Sequence, residues 1–213
     1  MEWIYQAPVL FFSIIFHEFA HGYMAFRRGD DTAYHSGRLT LNPLPHIDFM
    51  GTIALPVLCH FAGLPMFGWA KPVPINPLRL YTPRTDVVKV AACGPLSNLL
   101  LAAACAVFMK LALLARASLG PEMTVTMVKA MGFGITINIV LAVFNLIPLA
   151  PLDGSRIVAG LLPYNMAARY ESHARYAPFI LIALIFTGAI KYLILPPLVL
   201  ALFVLAKMGL PML

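Results

Sequence analysis

The chain has 213 residues, 61% of them hydrophobic and only 11% charged, and a mean hydropathy of +0.83. Such values exclude a soluble domain of ordinary composition and place the chain in a lipid bilayer. Its formal net charge of +6 comes from 15 Lys and Arg that stand between apolar runs and not in a patch interleaved with exposed aromatics, so membrane topology accounts for it and nucleic acid does not.

Apolar runs of helix-forming content cover about 5–26, 49–67, 88–115, 124–147, 177–193 and 196–210. At roughly 20 residues per crossing they predict an all-α polytopic membrane protein of about five to six transmembrane helices, in one domain over 1–213. The first run follows Met1-Glu2-Trp3 without a basic n-region or a small-residue cleavage site, and reads as a retained helix rather than a signal peptide. Beyond it, Gly37-Arg38-Leu39-Thr40-Leu41 alternates and is closed by Asn42-Pro43, which predicts a short strand and turn. Between the second and third runs, Lys71-Pro72-Val73-Pro74-Ile75-Asn76-Pro77 is too rich in proline for a helix or a central strand, leaving an edge strand or an extended loop. The fourth run ends in Asn145-Leu146-Ile147-Pro148-Leu149-Ala150-Pro151-Leu152-Asp153-Gly154, where two prolines break the helix. A polar connection over 155–176 carries Arg156, Arg169 and Arg175, and the last two runs are either two spans or one span broken around Pro196-Pro197. Cys59, Cys93 and Cys105 lie inside apolar segments without C-x-x-C spacing and read as buried free thiols.

In the first run stands His17-Glu18-Phe19-Ala20-His21. Positions i and i+4 share a helix face, so two imidazoles can bind one metal ion with Glu18 beside them. Composition alone would produce this pattern in roughly one chain in 140 of this make-up, which is suggestive and no more. Location strengthens it, because each ionisable group inside a spanning helix costs about 3 kcal/mol on insertion scales. The competing reading is hydrogen bonding of both histidines to other helices, with a protonated Glu18. A catalytic zinc site normally has three protein ligands, and the candidate for the third is Asp153, which follows a proline-broken helix end and precedes a glycine that permits close backbone approach. Asp48 and Asp86 stand at loop ends with no turn chemistry holding them inward. His35, His46, His60 and His173 lack ligand spacing and take loop or packing roles. Asn138 and Asn145 share a stripe of the fourth run, either lining a polar path for water or, for Asn138, making packing hydrogen bonds.

Taken in order, His17-Glu18-x-x-His21, Gly94-Pro95-Leu96-Ser97-Asn98 and Asn145-x-x-Pro148-x-x-x-Leu152-Asp153-Gly154 resemble the site-2 protease family of intramembrane zinc metalloproteases, peptidase family M50, over about residues 10–160. Gly37-Arg38-Leu39-Thr40-Leu41-Asn42-Pro43 and Gly68-Trp69-Ala70-Lys71-Pro72-Val73-Pro74 are similar to its compact subfamily without PDZ or CBS domains. The resemblance implies one Zn2+ per chain on His17, His21 and Asp153, Glu18 as the residue that activates water, and Asn145 near the substrate. It implies an endopeptidase of the cell membrane that cuts in or near transmembrane segments of membrane protein substrates. The catalytic core would be about 5–160, followed by C-terminal helices over about 177–210. Other classes of protein that place His and Glu in a membrane helix are a metal transporter and a non-catalytic membrane scaffold.

Joining His21 and Asp153 on one metal requires the first and fourth runs to be parallel, with an odd number of crossings between them. The third run supplies one, so the run over 49–67, with Gly51, Pro56 and Gly63, is expected to be re-entrant or interfacial. Positive-inside counting of Arg27, Arg28, Arg38, Lys71, Arg79 and Arg84 puts the active site toward the cytoplasmic side. The stretches 37–42 and 71–76 are the candidates for an edge that holds an extended substrate, plain loop packing being the alternative.

Overall fold

The structure is a computed structural model that describes residues 3–54, 58, 61 and 70–210. Three of its helices are long and apolar enough to cross a bilayer: α1 (Trp3–Arg27), α2 (Pro83–Leu114) and α3 (Pro121–Asn145). At 1.5 Å per residue, the shortest of these reaches beyond the roughly 30 Å of the hydrocarbon core. Two short helices follow, α4 (Asp153–Leu161) and α5 (Tyr164–Ser172), then α6 (Ala177–Phe186) and α7 (Lys191–Lys207).

Local sequence explains where these helices begin and end. Gly29, at φ 101°, closes α1: its own N–H bonds back to Phe26 and the N–H of Asp30 to Ala25, so the left-handed residue lets the last carbonyls be satisfied. Proline stands first in both α2 and α3, where its missing N–H has no intrahelical partner to lose. Asp86 reaches back to accept a hydrogen bond from the backbone N–H of Thr82 at the head of α2.

Polarity is inverted relative to a soluble protein. Ser13, His17, His21, Asn98 and Asn138 are each no more than 6% exposed, whereas Leu100 is 68% and Phe108 56% exposed on the outer face of α2. A lipid solvent demands this arrangement, with apolar side chains outward and polar groups paired within. Small residues at the helix contacts, among them Ala91, Ala102, Ala106 and Ala142, let the backbones approach.

Side-chain contacts give the helix directions. Ser13 meets both Asn98 and Asn138, His21 meets Val90, and Gly134 lies against Val9 and Cys105. Rising numbers in α1 therefore face falling numbers in α2 and rising numbers in α3: α1 and α3 are parallel, as a shared metal requires, and α2 runs between them in reverse.

Several sequence expectations change. Against the five to six crossings expected, three helices among the described residues are long and apolar enough to cross, or four spans if α6 and α7 form one broken span. Those two helices meet at a 71° bend, and the break lies between Phe186 and Lys191, where Gly188 has φ 69°, and not at Pro196-Pro197, which stay inside α7. The strand expected over 37–41 does not form, and no strand occurs among the described residues; 71–76 is an extended loop without a ladder. Its amides explain why: Pro72 and Pro74 have none, and those of Val73 and Asn76 are taken by the carboxylates of Glu18 and Asp30. Asp48 and Asp86 are also held more firmly than their loop-end positions suggest. Asp48 accepts from the Gly51 N–H, while Asp86 is buried and paired with Lys89 at 2.7 Å and Arg28 at 3.6 Å. Of the run over 49–67, the π-helical turn Phe49–Ala54 is described, and Cys59, His60 and most of the remainder lie outside the described residues.

Candidate metal centre

One turn apart on α1, the imidazoles of His17 and His21 point to the same spot, with Nε2 atoms 3.0 Å apart. A carboxylate oxygen of Asp153, the first residue of α4, lies 3.1 Å from each of them. Among the described residues these are the His, Cys, Asp or Glu side chains whose ligand atoms cluster closely enough to hold a metal ion. The tetrahedral sphere of zinc, with bonds of about 2.0–2.1 Å, brings ligand atoms to roughly 3.3 Å from one another, close to this triangle.

Hydrogen bonding on the far side of each ring fixes where its Nδ1 proton points. His21 Nδ1 lies 2.7 Å from the carbonyl oxygen of Val90, which can only accept, so this nitrogen carries the proton. His17 Nδ1 donates likewise to Asn98 Oδ1 at 2.6 Å. Asn98 is oriented in turn by its amide N–H bonds to Asn138 Oδ1 and the Ser13 carbonyl, and Asn138 by its bonds to Ser13 Oγ and the Gly134 carbonyl. In their neutral form both rings therefore aim Nε2 lone pairs at one another and at a carboxylate oxygen. Three converging acceptors repel unless a cation lies among them, so this donor set fits a metal ion.

Two glycines make the approach possible. A Cβ on Gly94 would lie 2.4 Å from His21 Nε2 and 2.6 Å from His17 Cε1, so α2 can back onto the imidazoles because this residue has no side chain. A Cβ on Gly154 would meet the carbonyl oxygens of Leu146 and Ile147 at 2.3 and 2.5 Å, so the turn leading into Asp153 closes on a glycine. Gly94→Ala is expected to lower zinc affinity at least tenfold, roughly the effect of losing a residue that orients a ligand, measured by competition with a chromophoric chelator.

Glu18 is half-buried, and its Oε2 accepts a hydrogen bond of 2.9 Å from the Val73 N–H. The same stretch crosses α1 at Gly22, where the Val73 side chain occupies the space a Cβ would need. Asp30 anchors its far end through the Asn76 N–H, Arg38 holds the Pro72 carbonyl, and His46 accepts the Lys71 N–H on its backbone oxygen. Asn145 ends α3 half-buried, with its amide nitrogen donating to Leu141 and its Oδ1 accepting nothing among the described residues. The other histidines lie apart from the cluster: His35 pairs with Asp31, His46 is buried against Thr40, and His173 bonds to Arg169.

Sequence reasoning brought together His17, His21 and Asp153 but missed the part played by Asn98, which it read only as part of a motif, and by Ser13. Asn138 could be flagged as buried and polar in a spanning helix, yet its partners lie 40 and 125 positions away in the chain. Asn98→Ala is expected to weaken zinc binding about 10–100-fold with the helices intact, read from the same chelator competition and circular dichroism.

Comparison with known proteins agrees with this geometry. The chain is 37% identical over 192 residues to "Putative zinc metalloprotease YwhC" of Bacillus subtilis (strain 168), a match that covers 90% of this chain and 84% of that one. No solved structure gives a significant match. The family model described as Peptidase family M50 matches residues 5–188, which take in the histidine pair, Asn98 and Asp153, and the chain belongs to that family.

Proposed function

We infer that the chain is an intramembrane zinc endopeptidase that hydrolyses peptide bonds in or near transmembrane segments of membrane protein substrates, with His17, His21 and Asp153 holding one Zn2+ and Glu18 as general base. The observation that carries this reading is the convergence of three acceptor atoms, 3.0–3.1 Å apart, with both imidazoles locked in the tautomer that offers Nε2. Zinc, when bound, supplies a water of pKa about 7 and polarises the scissile carbonyl.

The chain's own groups do the rest. Glu18 is held through Oε2 by the Val73 amide, which leaves Oε1 to take the proton of the attacking water and pass it to the leaving amine. Residues 71–76 lie extended beside Glu18 and are suited to hold an unwound substrate strand by main-chain hydrogen bonds, with the unused Oδ1 of Asn145 as a further substrate contact. Only an unwound segment offers its peptide bonds, since a helix keeps them paired.

The site lies near the ends of α1 and α3, toward one membrane face, which gives water a short route to it. We assign that face to the cytoplasm of the cell membrane, on the Arg and Lys gathered there. The flanks of the run over 49–67 meet through the hydrogen bond of 2.8 Å from the Lys71 N–H to the His46 carbonyl. We assign the whole of 1–213 to one protease domain. Neither a metal transporter nor a non-catalytic scaffold is favoured, given membership in a peptidase family.

The test is to purify the protein, count its zinc, and measure cleavage of a transmembrane test peptide before and after chelation. About one zinc per chain is expected, with cleavage lost on chelation and recovered on adding zinc back. A protein that binds no zinc under metal-replete conditions would sink the reading.

A further inference from the structure

A cavity of about 830 Å³ lies beside the metal cluster rather than over it. Its walls come from Pro83, Arg84 and Val87 at the start of α2, the turn over 148–150 just past α3, helices α4 and α5, and Ala177 and Ile180 at the start of α6. The start of α2 and the end of α3 lie together because these helices run in opposite directions, and the start of α6 joins them in the cavity wall, which places the cavity at one end of the spanning helices.

Two guanidinium groups line it. Arg84 donates to the carbonyl oxygens of Gly160 and Leu162, which are neutral, and has further N–H groups to offer. Arg156 is exposed and has no ion pair or hydrogen bond among the described residues. The carboxylate in the lining, Glu171, pairs with neither. Two arginines without an acidic partner, over walls of Val87, Ala174 and Ile180, call for a ligand that is anionic at one end and apolar at the other.

We propose that this cavity binds one anionic phospholipid of the surrounding leaflet, its phosphate on Arg156 and Arg84 and an acyl chain against the apolar wall. A basic pocket between helices at the face of a bilayer has the chemistry for such a headgroup, and the volume falls in the range of small-molecule sites. Ser155, two residues past Asp153, and Leu149, in the turn leading to it, border the cavity, so the lipid would lie against the turn that delivers the third metal ligand. Lipid occupancy does not depend on the protease reading and is measured without activity.

The full-length chain would be reconstituted in nanodiscs of phosphatidylcholine with roughly one-fifth phosphatidylglycerol, released into mild detergent, and the phosphatidylglycerol retained per chain counted by native mass spectrometry. The parent should keep about one. Arg156→Gln should lower retention about fivefold, the worth of one arginine against an anionic headgroup. Ala174→Phe, which fills the cavity and leaves the charges alone, should lower it comparably, while Lys110→Gln at the other end of α2 should have no effect. Circular dichroism checks that each variant is folded. Equal retention by the parent and both cavity variants would mean annular lipid only and overturn the site. Displacement of the lipid by inorganic phosphate would make it a site for soluble anions. A change in KM for the test peptide on Arg156→Gln in pure phosphatidylcholine would instead make the cavity a groove for acidic substrate segments, and would equally overturn the proposal.

Discussion

Glu18→Gln is expected to keep its zinc and lose cleavage by at least roughly 10²–10⁴-fold, the usual contribution of a positioned general base. The substitution is nearly isosteric, and the amide oxygen can still accept the Val73 N–H, so the extended stretch over 71–76 should stay in place. What disappears is the capacity to take a proton. His17 and His21 keep their partners, Asn98 and the Val90 carbonyl, so the metal count should not change. Zinc per chain and turnover of a transmembrane test peptide, measured on the same preparation, separate the possibilities. A variant that retains more than about a tenth of parental turnover would remove Glu18 from the role of base.

Asp153→Ala should instead cost the metal: the protein folds and zinc is lost. The carboxylate is the one anionic member of the cluster, and two neutral imidazoles remain without it. Nothing else in the turn depends on this side chain, because Gly154 fits against the Leu146 and Ile147 carbonyls through its backbone and Ser155 Oγ bonds to the Leu152 carbonyl. Zinc at about 100 times its Kd should stabilise the parent by about 2.7 kcal/mol and Asp153→Ala by almost nothing, read as the shift in thermal unfolding on adding metal. Cleavage should fall below detection. A variant that binds zinc as tightly as the parent would show that another residue supplies the third ligand.

Both experiments bear on a site that was largely legible in the chain itself. His17 and His21 could be paired because the helix period is local, and ionisable groups in an apolar run signal a cost that function must offset. Asp153 stood out because prolines end the helix before it and a glycine follows. The same prolines made 71–76 legible as non-helical, while the competition for its amides was not legible: Asp30 and Glu18 reach those N–H groups only after the chain has folded back over α1.

Composition and spacing within one element were enough to read the apolar helices, the histidine pair and Asp153 as the carboxylate to set beside it. The remaining features come from how the helices dock. Which ring nitrogen faces Asp153 depends on Asn98 and Val90 in another helix; why residue 94 must be glycine depends on two imidazoles on α1; and the bend between α6 and α7 falls at Gly188 rather than at the paired prolines. Periodicity reports which face of a helix is apolar. The partner of a buried polar atom is instead chosen by how whole helices dock, and that choice is made between residues 40 to 132 positions apart.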